Sequence, residues 1–280
     1  PDEQSVTFIT TAASIANFTK DISGGCGPVN VNFNNTSSNL NTNIQFFWDF
    51  GDGSPPQYTQ NTSHVYTTPG AYDVKLVVST NGICRADSIT KRVFVDTKPT
   101  AIFTPVNSCI NIPIAFTDAS TNTVGGVSAW SWSFGDAGVS TLQHPAHTYL
   151  SPGPYNTSLT VQSLHGCVSA EVAKPLTIFD IPVADYNFTY PCVGQGTVFT
   201  DTSPSNNGNI TGWQWDFGDA ASTEDISDIR NPAWTYADTG TKNIRFIVTN
   251  SKGCVDTVFK SIVMIEKPPI TLAFRDTLIC

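Results

Sequence analysis

The 280-residue chain carries 23 acidic against 14 basic residues, a formal net charge of -9, and has no basic cluster, which excludes a nucleic-acid footprint or attraction to an anionic membrane surface. Charged residues make up 13%, about half the usual share, while Ser, Thr, Asn, Gly and Pro fill the connections between short runs of Phe, Trp and Val. This is the profile of an all-β extracellular protein, and no apolar run approaches the roughly 18 residues that span a bilayer.

Period-2 alternation recurs along the chain in VNVNF (29–33), YDVKLVV (72–78) and IRFIV (244–248), the spacing of half-buried strands. Cysteines set a longer period. Cys26, Cys109, Cys192 and Cys280 lie 83, 83 and 88 residues apart, and Cys84, Cys167 and Cys254, each behind a turn glycine, lie 83 and 87 apart. The aromatic stretches FFWDFGDG, WSWSFGDA and WQWDFGDA keep the same step, with Trp48, Trp132 and Trp215 in register. One unit therefore explains the whole chain. Residues 1–14 end a preceding repeat; 15–98, 99–181 and 182–266 are repeats 1, 2 and 3; residues 267–280 begin a further one. SVTFIT at 5–10 matches the closing strands, and TLAFRDTLIC at the end matches the opening ones. The chain thus reads as an excerpt from a longer array.

Within each repeat the pattern predicts a short opening strand (Ala101–Thr104 in repeat 2), then a second strand after the first cysteine, ending in Phe33, Phe116 or Phe199. The aromatic strand follows, then a variable loop, an H-x-Y segment, a turn into a long strand, a glycine hairpin and a closing strand. Seven or so short antiparallel strands with regular turns predict an Ig-like β-sandwich, repeated in tandem from head to tail. Along the aromatic strand, side-chain alternation places Phe46, Trp48 and Phe50 on the buried face and Asp49 outside. Asp52, Asp136 and Asp219 enter the turn that follows, where Asp accepts backbone N–H groups and glycine supplies positive φ. The first carboxylate of the motif is Asp49, Ser133 or Asp216, so a catalytic role for it fails in repeat 2. Gly51, Gly135 and Gly218 complete the turn as a structural motif.

WDFGDG followed by HVYTTPGAYDVKLVV resembles the PKD domain, the repeat first named in polycystin, and the resemblance covers nearly all of the chain. It implies an extracellular Ig-like sandwich used as a spacer, an adhesive module or an appendage of a secreted enzyme. The cysteine-bearing arrays are similar to repeats of large secreted and surface proteins of gliding bacteria of the Bacteroidota type. Some relatives bind calcium near their domain joins; Asp52, Asp136 and Asp219 are the weak calcium candidates here, although no loop shows the dense acidic spacing of a calcium motif. No cofactor is otherwise expected.

His64 and His147 share a position with Trp234, which can neither ligate a metal nor take a proton, so the position is expected to serve packing. His144 and His165 lie in loops without zinc-ligand spacing. No H-E-x-x-H, G-x-S-x-G or phosphate loop occurs, and Gly194-Gln195-Gly196 is a loop only, so an enzyme is not expected. Tyr72 and Tyr155 are placed for a tyrosine corner, replaced by Lys242 in repeat 3. Trp130 and Trp213, two residues before the shared Trp, are candidates to stack on sugars, against the alternative that they fill the core.

Two cysteines per repeat in a secreted chain argue for disulfides. Pairing within repeats gives Cys26–Cys84, Cys109–Cys167 and Cys192–Cys254. In an Ig-like sandwich, however, the first interstrand loop and the last hairpin sit at opposite ends, on the order of 20 Å apart. Pairing across the joints instead gives Cys26–Cys167 and Cys109–Cys254, with Cys84, Cys192 and Cys280 bridged outside the excerpt. The expected function is a non-catalytic stalk or spacer, secreted or on the cell surface, whose partners are neighbouring repeats and surface glycans or extracellular proteins. The alternative is a polysaccharide- or protein-binding accessory module of a secreted hydrolase.

Overall fold

The structure, a computed structural model, describes residues 13–40, 43–80, 86–189, 192–204 and 208–266, which form strands and no α-helix. They group into two compact units: one holds the described residues up to Pro105 with Ala115–His147 and Asn156–Pro175, the other Val106–Ile114, Thr148–Tyr155 and the described residues from Leu176.

Repeat 1 comprises β1 (Phe18–Lys20), β2 (Gly24–Cys26), β3 (Val29–Asn35), β4 (Ile44–Asp49), β5 (Thr62–Tyr66), β6 (Gly70–Thr80) and β7 (Asp87–Asp96). One sheet has the order β1-β3-β5 and the other β2-β7-β6-β4. Alternation decides which side chains meet between them. Val29, Val31 and Phe33 of β3 face Trp48 of β4, Val74, Leu76 and Val78 of β6, and Val93 and Val95 of β7, all buried. Phe18 sits edge-on to Trp48 at 5.1 Å, a favoured geometry for aromatic pairs.

Repeat 2 comprises β8 (Ser108–Cys109), β9 (Pro113–Ala115), β10 (Val127–Ser133), β11 (Val139–Ser140), β12 (Ala146–Thr148), β13 (Gly153–Ser163) and β14 (Val172–Phe179). β10 pairs antiparallel with β11 and β13, and β14 runs parallel to β8. Repeat 3 comprises β15 (Tyr186–Phe188), β16 (Gly196–Asp201), β17 (Ile210–Asp216), β18 (Ile226–Ser227), β19 (Ala233–Thr235), β20 (Gly240–Asn250) and β21 (Val255–Met264). Its sheets are β15-β16-β19 and β18-β17-β20-β21, closing on Tyr186, Phe199, Trp215, Phe246 and Ile262. The architecture is a series of Ig-like sandwiches.

Two expectations change. Ala101–Thr104 forms no strand: Thr100 and Phe103 make only isolated bridges, to Thr121 and Asp118, because the Ile102 amide donates to the Ser120 hydroxyl and Pro105 has no N–H to extend a ladder. The first cysteine lies on a short strand that crosses to the other sheet and runs parallel to the closing strand (β2 on β7, β8 on β14), not in a loop between the first two strands. The segments resembling strands at 5–10 and 271–280 lie outside the described residues.

The shared tryptophan is anchored the same way in each repeat, its indole N–H donating to a loop carbonyl: Trp48 to Thr59, Trp132 to Leu142 and Trp215 to Ile229, each at 2.9 Å. The turn after it also recurs. Gly51, Gly135 and Gly218 have φ of 76°, 84° and 62°, and a Cβ there would lie 2.8, 2.8 and 2.2 Å from the carbonyl oxygens of Asp73, Asn156 and Asn243. Only glycine meets both demands. Gly135→Ala is therefore expected to destabilise by about 2–4 kcal/mol in urea unfolding. Gly126→Ala has equally positive φ but nothing within 4 Å of its Cβ, and should lose only about 1–2 kcal/mol. Equal losses would show that close approach is irrelevant.

Candidate functional site at the turns and joints

Each turn carboxylate is paired with an aromatic ring. Asp52 Oδ1 accepts from the Ser54 amide (3.1 Å) and hydroxyl (2.6 Å), while Oδ2 lies 2.7 Å from His64 Nε2. Asp136 Oδ1 accepts from the Gly138 amide at 2.9 Å, with Oδ2 2.7 Å from His147 Nε2. In repeat 3 Asp219 Oδ2 accepts from the Trp234 indole at 3.2 Å, and Oδ1 from Lys242 Nζ at 3.2 Å. The rings also stack: His64 on Phe50 at 4.1 Å, His147 on Phe134 at 4.2 Å, Trp234 on Phe217 at 5.1 Å. The position thus takes any flat ring with an N–H directed at the carboxylate. Alignment of the repeats revealed the shared ring position but not its bond to the turn Asp. Burial pushes the Asp52, Asp136 and Asp219 carboxyls up, but their hydrogen bonds outweigh it and hold each below its usual value.

Asp49 Oδ1 and Asp216 Oδ1 accept the amides of Gly51 and Gly218, bracing the same turn. The strand-entry corner is closed by Tyr72 and Tyr155, whose hydroxyls donate to the carbonyls of Thr68 (2.7 Å) and Ser151 (2.8 Å). In repeat 3 Lys242 bonds Asp238 at 2.7 Å instead. Trp130 and Trp213 are half-buried, and their N–H groups are tied to Asp118 Oδ2 (2.7 Å) and Asp201 Oδ2 (3.0 Å). His144 Nδ1 accepts the Asp118 amide at 3.1 Å.

The joints are closed covalently. Cys26, in register with Asp96 of β7, is disulfide-bonded to Cys167 of repeat 2 with Cα atoms 5.4 Å apart. Cys109, in register with Phe179 of β14, is bonded to Cys254 of repeat 3 with Cα atoms 5.8 Å apart. These bonds preclude Cys109–Cys167 and the other within-repeat pairs of those four residues. The hairpins are built to present the cysteine: Ser163 Oγ accepts the Cys167 amide (3.1 Å), and Asn250 Oδ1 accepts those of Lys252 and Cys254 (3.0 Å each). Cys192 occupies the same register, beside Ile265, and is a free thiol. Cys84 and Cys280 lie outside the described residues. Side chains add to each closure. Thr97 Oγ1 bonds Asn122 Oδ1 at 2.9 Å, and Asn250 Nδ2 donates to the Asp180 carbonyl at 3.2 Å. Neither Asn122 nor Asn250 carries a sequence signal, since each acts through one amide at a linker.

A model of the PKD domain matches residues 11–95, 96–178 and 180–264. The chain belongs to the PKD domain family. Among solved structures, the PKD1 domain of the Vibrio cholerae metalloprotease PrtV is similar at 30% identity over 30% of this chain and 96% of that one, with a TM-score of 0.27. The PKD1 domain of Vibrio anguillarum Epp is similar at 22% identity, 32% and 99% coverage, and a TM-score of 0.28. Three N-terminal domains of the bacteriophage RB49 outer capsid protein Hoc match at 12% identity, 91% and 100% coverage, and a TM-score of 0.47. PKD and Ig-like domains are generally non-catalytic modules, and no helix of the described residues is long and apolar enough to cross a membrane.

The PKD turn carboxylates do not fit a calcium site. Each has both oxygens already accepting from ring, amide or ammonium groups, and in repeat 3 a cation, Lys242, is beside Asp219; calcium needs six to eight oxygens. Among the described residues no group of three His, Cys, Asp or Glu side chains converges.

The depressed carboxyls fix the sign of the acid response. A group held below its unfolded value contributes stability above that value and loses it as pH falls through the folded one. Asp52, Asp118, Asp136, Asp201 and Asp219 all act this way. Their contribution to the melting temperature is expected to hold level from neutral pH down to about 5 and to be lost as pH falls below about 4. Asp136→Asn should lower stability at neutral pH by about 1–2 kcal/mol and flatten the acid limb. A variant with wild-type melting at pH 7 would remove Asp136 from the turn's support.

Proposed function

We propose that this segment is a non-catalytic stalk in a secreted or cell-surface protein, holding a functional tip at a distance. The observation that carries the reading is the disulfide across each joint. A lone sandwich needs no bond to its neighbour to fold; a bond from Cys26 to Cys167 or from Cys109 to Cys254 restrains the bending of one domain on the next. The Pro-bearing linkers at Pro99 and Pro182 act in the same direction. Disulfides form in oxidising compartments, which supports an extracellular location, and resemblance of the array favours a large surface protein of a gliding, Bacteroidota-type bacterium. The partners in this reading are adjacent repeats, with surface glycans or extracellular proteins contacted by the tip.

The two bridges interlace, because the loop from 26 to 167 and the loop from 109 to 254 share residues 109–167. Under force, the shortest covalent path runs through that shared segment. Pulled from its ends, the oxidised chain should lengthen by less than about half as much as the reduced chain, with reduction releasing the rest. Single-molecule extension reads this directly; equal contour lengths would overturn the stalk mechanism, as would scattering profiles of freely jointed domains in the oxidised protein.

A second reading, a polysaccharide-binding accessory module, is favoured by one observation in repeat 1. Phe47 and Tyr58 are 37% and 68% exposed and meet edge to face at 5.9 Å, flanked by Gln45 and Ser79. Exposed rings with polar neighbours suit the faces of sugars. Retention of the oxidised chain on chitin or cellulose, abolished in Phe47→Ala and Tyr58→Ala but kept in Trp130→Phe, would establish it; no retention of the wild type would remove it.

A further inference from the structure

The two joints share a frame but not a chemistry. The residue in register with the first cysteine is Asp96 in repeat 1 and Phe179 in repeat 2, and the residue two before the hairpin cysteine is His165 in repeat 2 and Lys252 in repeat 3. At the second joint Lys252 Nζ stands 5.4 Å from the Phe179 ring centroid. At the first, His165 Nδ1 lies 3.1 Å from Asp96 Oδ2, and its ring stacks on Phe94 at 4.9 Å.

The Asp96 carboxylate is fully buried, and its Oδ1 has no hydrogen-bond partner. Two glycines make room for the pair. A Cβ on Gly24 would lie 2.5 Å from the His165 ring, and one on Gly125 2.7 Å from the Asp96 carboxylate oxygens. No second charge is supplied by the elements packed around it. On β7, Arg92 is held by Asp73 and Lys91 by Asn17 and the Phe18 carbonyl; Lys20 donates to the Arg92 carbonyl, and Lys98 follows in the linker. β2, the hairpin at 162–170 and the segment at 119–135, which includes β10, contain no charged residue apart from His165.

We propose that Asp96 and His165 form a latch that tightens in acid, with the second joint as its pH-insensitive counterpart. A buried carboxylate without a counter-charge is costly, and histidine is the side chain whose charge ordinarily changes between about pH 5 and 8. An imidazolium gives Asp96 an ion pair and a charge-assisted hydrogen bond; a neutral ring gives a single neutral donor. By linkage the closed state gains as pH falls through the histidine range and loses as pH rises. The second joint has Lys252 over the Phe179 ring and no histidine.

The test is amide hydrogen exchange on the full oxidised chain at about pH 5.5 and 8, corrected for intrinsic rates. The Gly27 amide, bonded to the Asp96 carbonyl, and that of Cys167 should be about tenfold better protected in acid, whereas those of Ile110 and Cys254 at the second joint should not change. Asp96→Asn should abolish the difference. His165→Lys, which borrows the residue of the second joint, keeps the charge and should make protection independent of pH, so it decides the matter even if Asp96→Asn disturbs folding. The proposal is overturned if the wild type shows no difference at Gly27, if Ile110 changes equally, or if the response survives in His165→Lys.

Discussion

The short parallel pairing of each repeat's cysteine strand with the end of its closing strand fixes where everything at the joints falls. The opening chain begins in one sheet, as β1 beside β3, and then crosses so that Gly24–Cys26 lies against Phe94–Asp96. The same step sets Cys109 beside Phe179 and Cys192 beside Ile265. A cysteine near the start of the sequence is thereby carried to the exit end of its own sandwich, where the hairpin of the next repeat arrives. The disulfide, the Asp96–His165 pair and the Lys252–Phe179 contact all depend on that crossing.

The interior is stabilised by a different device, repeated at the opposite end of the aromatic strand. A buried Trp donates its N–H to a loop carbonyl, the chain turns through a glycine that touches the neighbouring backbone, and an Asp grips a ring stacked on the next Phe. Burying a Trp with its donor satisfied is favourable, whereas leaving it unsatisfied would forfeit much of the gain. The ring position accepts His64, His147 or Trp234 because the carboxylate asks only for an N–H in the plane of the ring. Substitution among chemically different residues is therefore tolerated without loss of the fold.

The cysteine period, the tryptophan register and the strand alternation were legible in the sequence because each is a pattern over many residues. Trp48, Trp132 and Trp215 occupy the core that the alternation assigns them, and Tyr72 and Tyr155 make the corner bond that their position implies. The cysteine strand was not legible: Gly24-Gly25-Cys26 has no alternation, and a strand of two or three residues leaves no periodic signal. Nor was the Asp–ring bond, which joins residues 11, 12 or 15 apart through a loop of variable length. The bonds from the Trp130 and Trp213 indoles to Asp118 and Asp201 were not legible either, since each joins side chains on separate segments.

Interlacing changes what the disulfides contribute. Taken singly, a bridge closing a loop as long as 141 or 145 residues would restrict the unfolded chain by about 5 kcal/mol in the chain-entropy model. The two do not add. Once Cys26 and Cys167 are joined, the route from Cys109 back to Cys26 and across the bridge runs in parallel with the stretch from Cys109 forward to Cys167, so Cys109 and Cys254 already lie closer on average in the unfolded chain and the second closure removes less freedom than the first. Thermodynamic stability therefore grows more slowly with each added joint than bridge counting implies. The limit on extension does not weaken in this way: every new bridge shortens the path along which force can travel. An array linked through its joints gains more in resistance to stretching than in resistance to unfolding, as the proposed stalk would require.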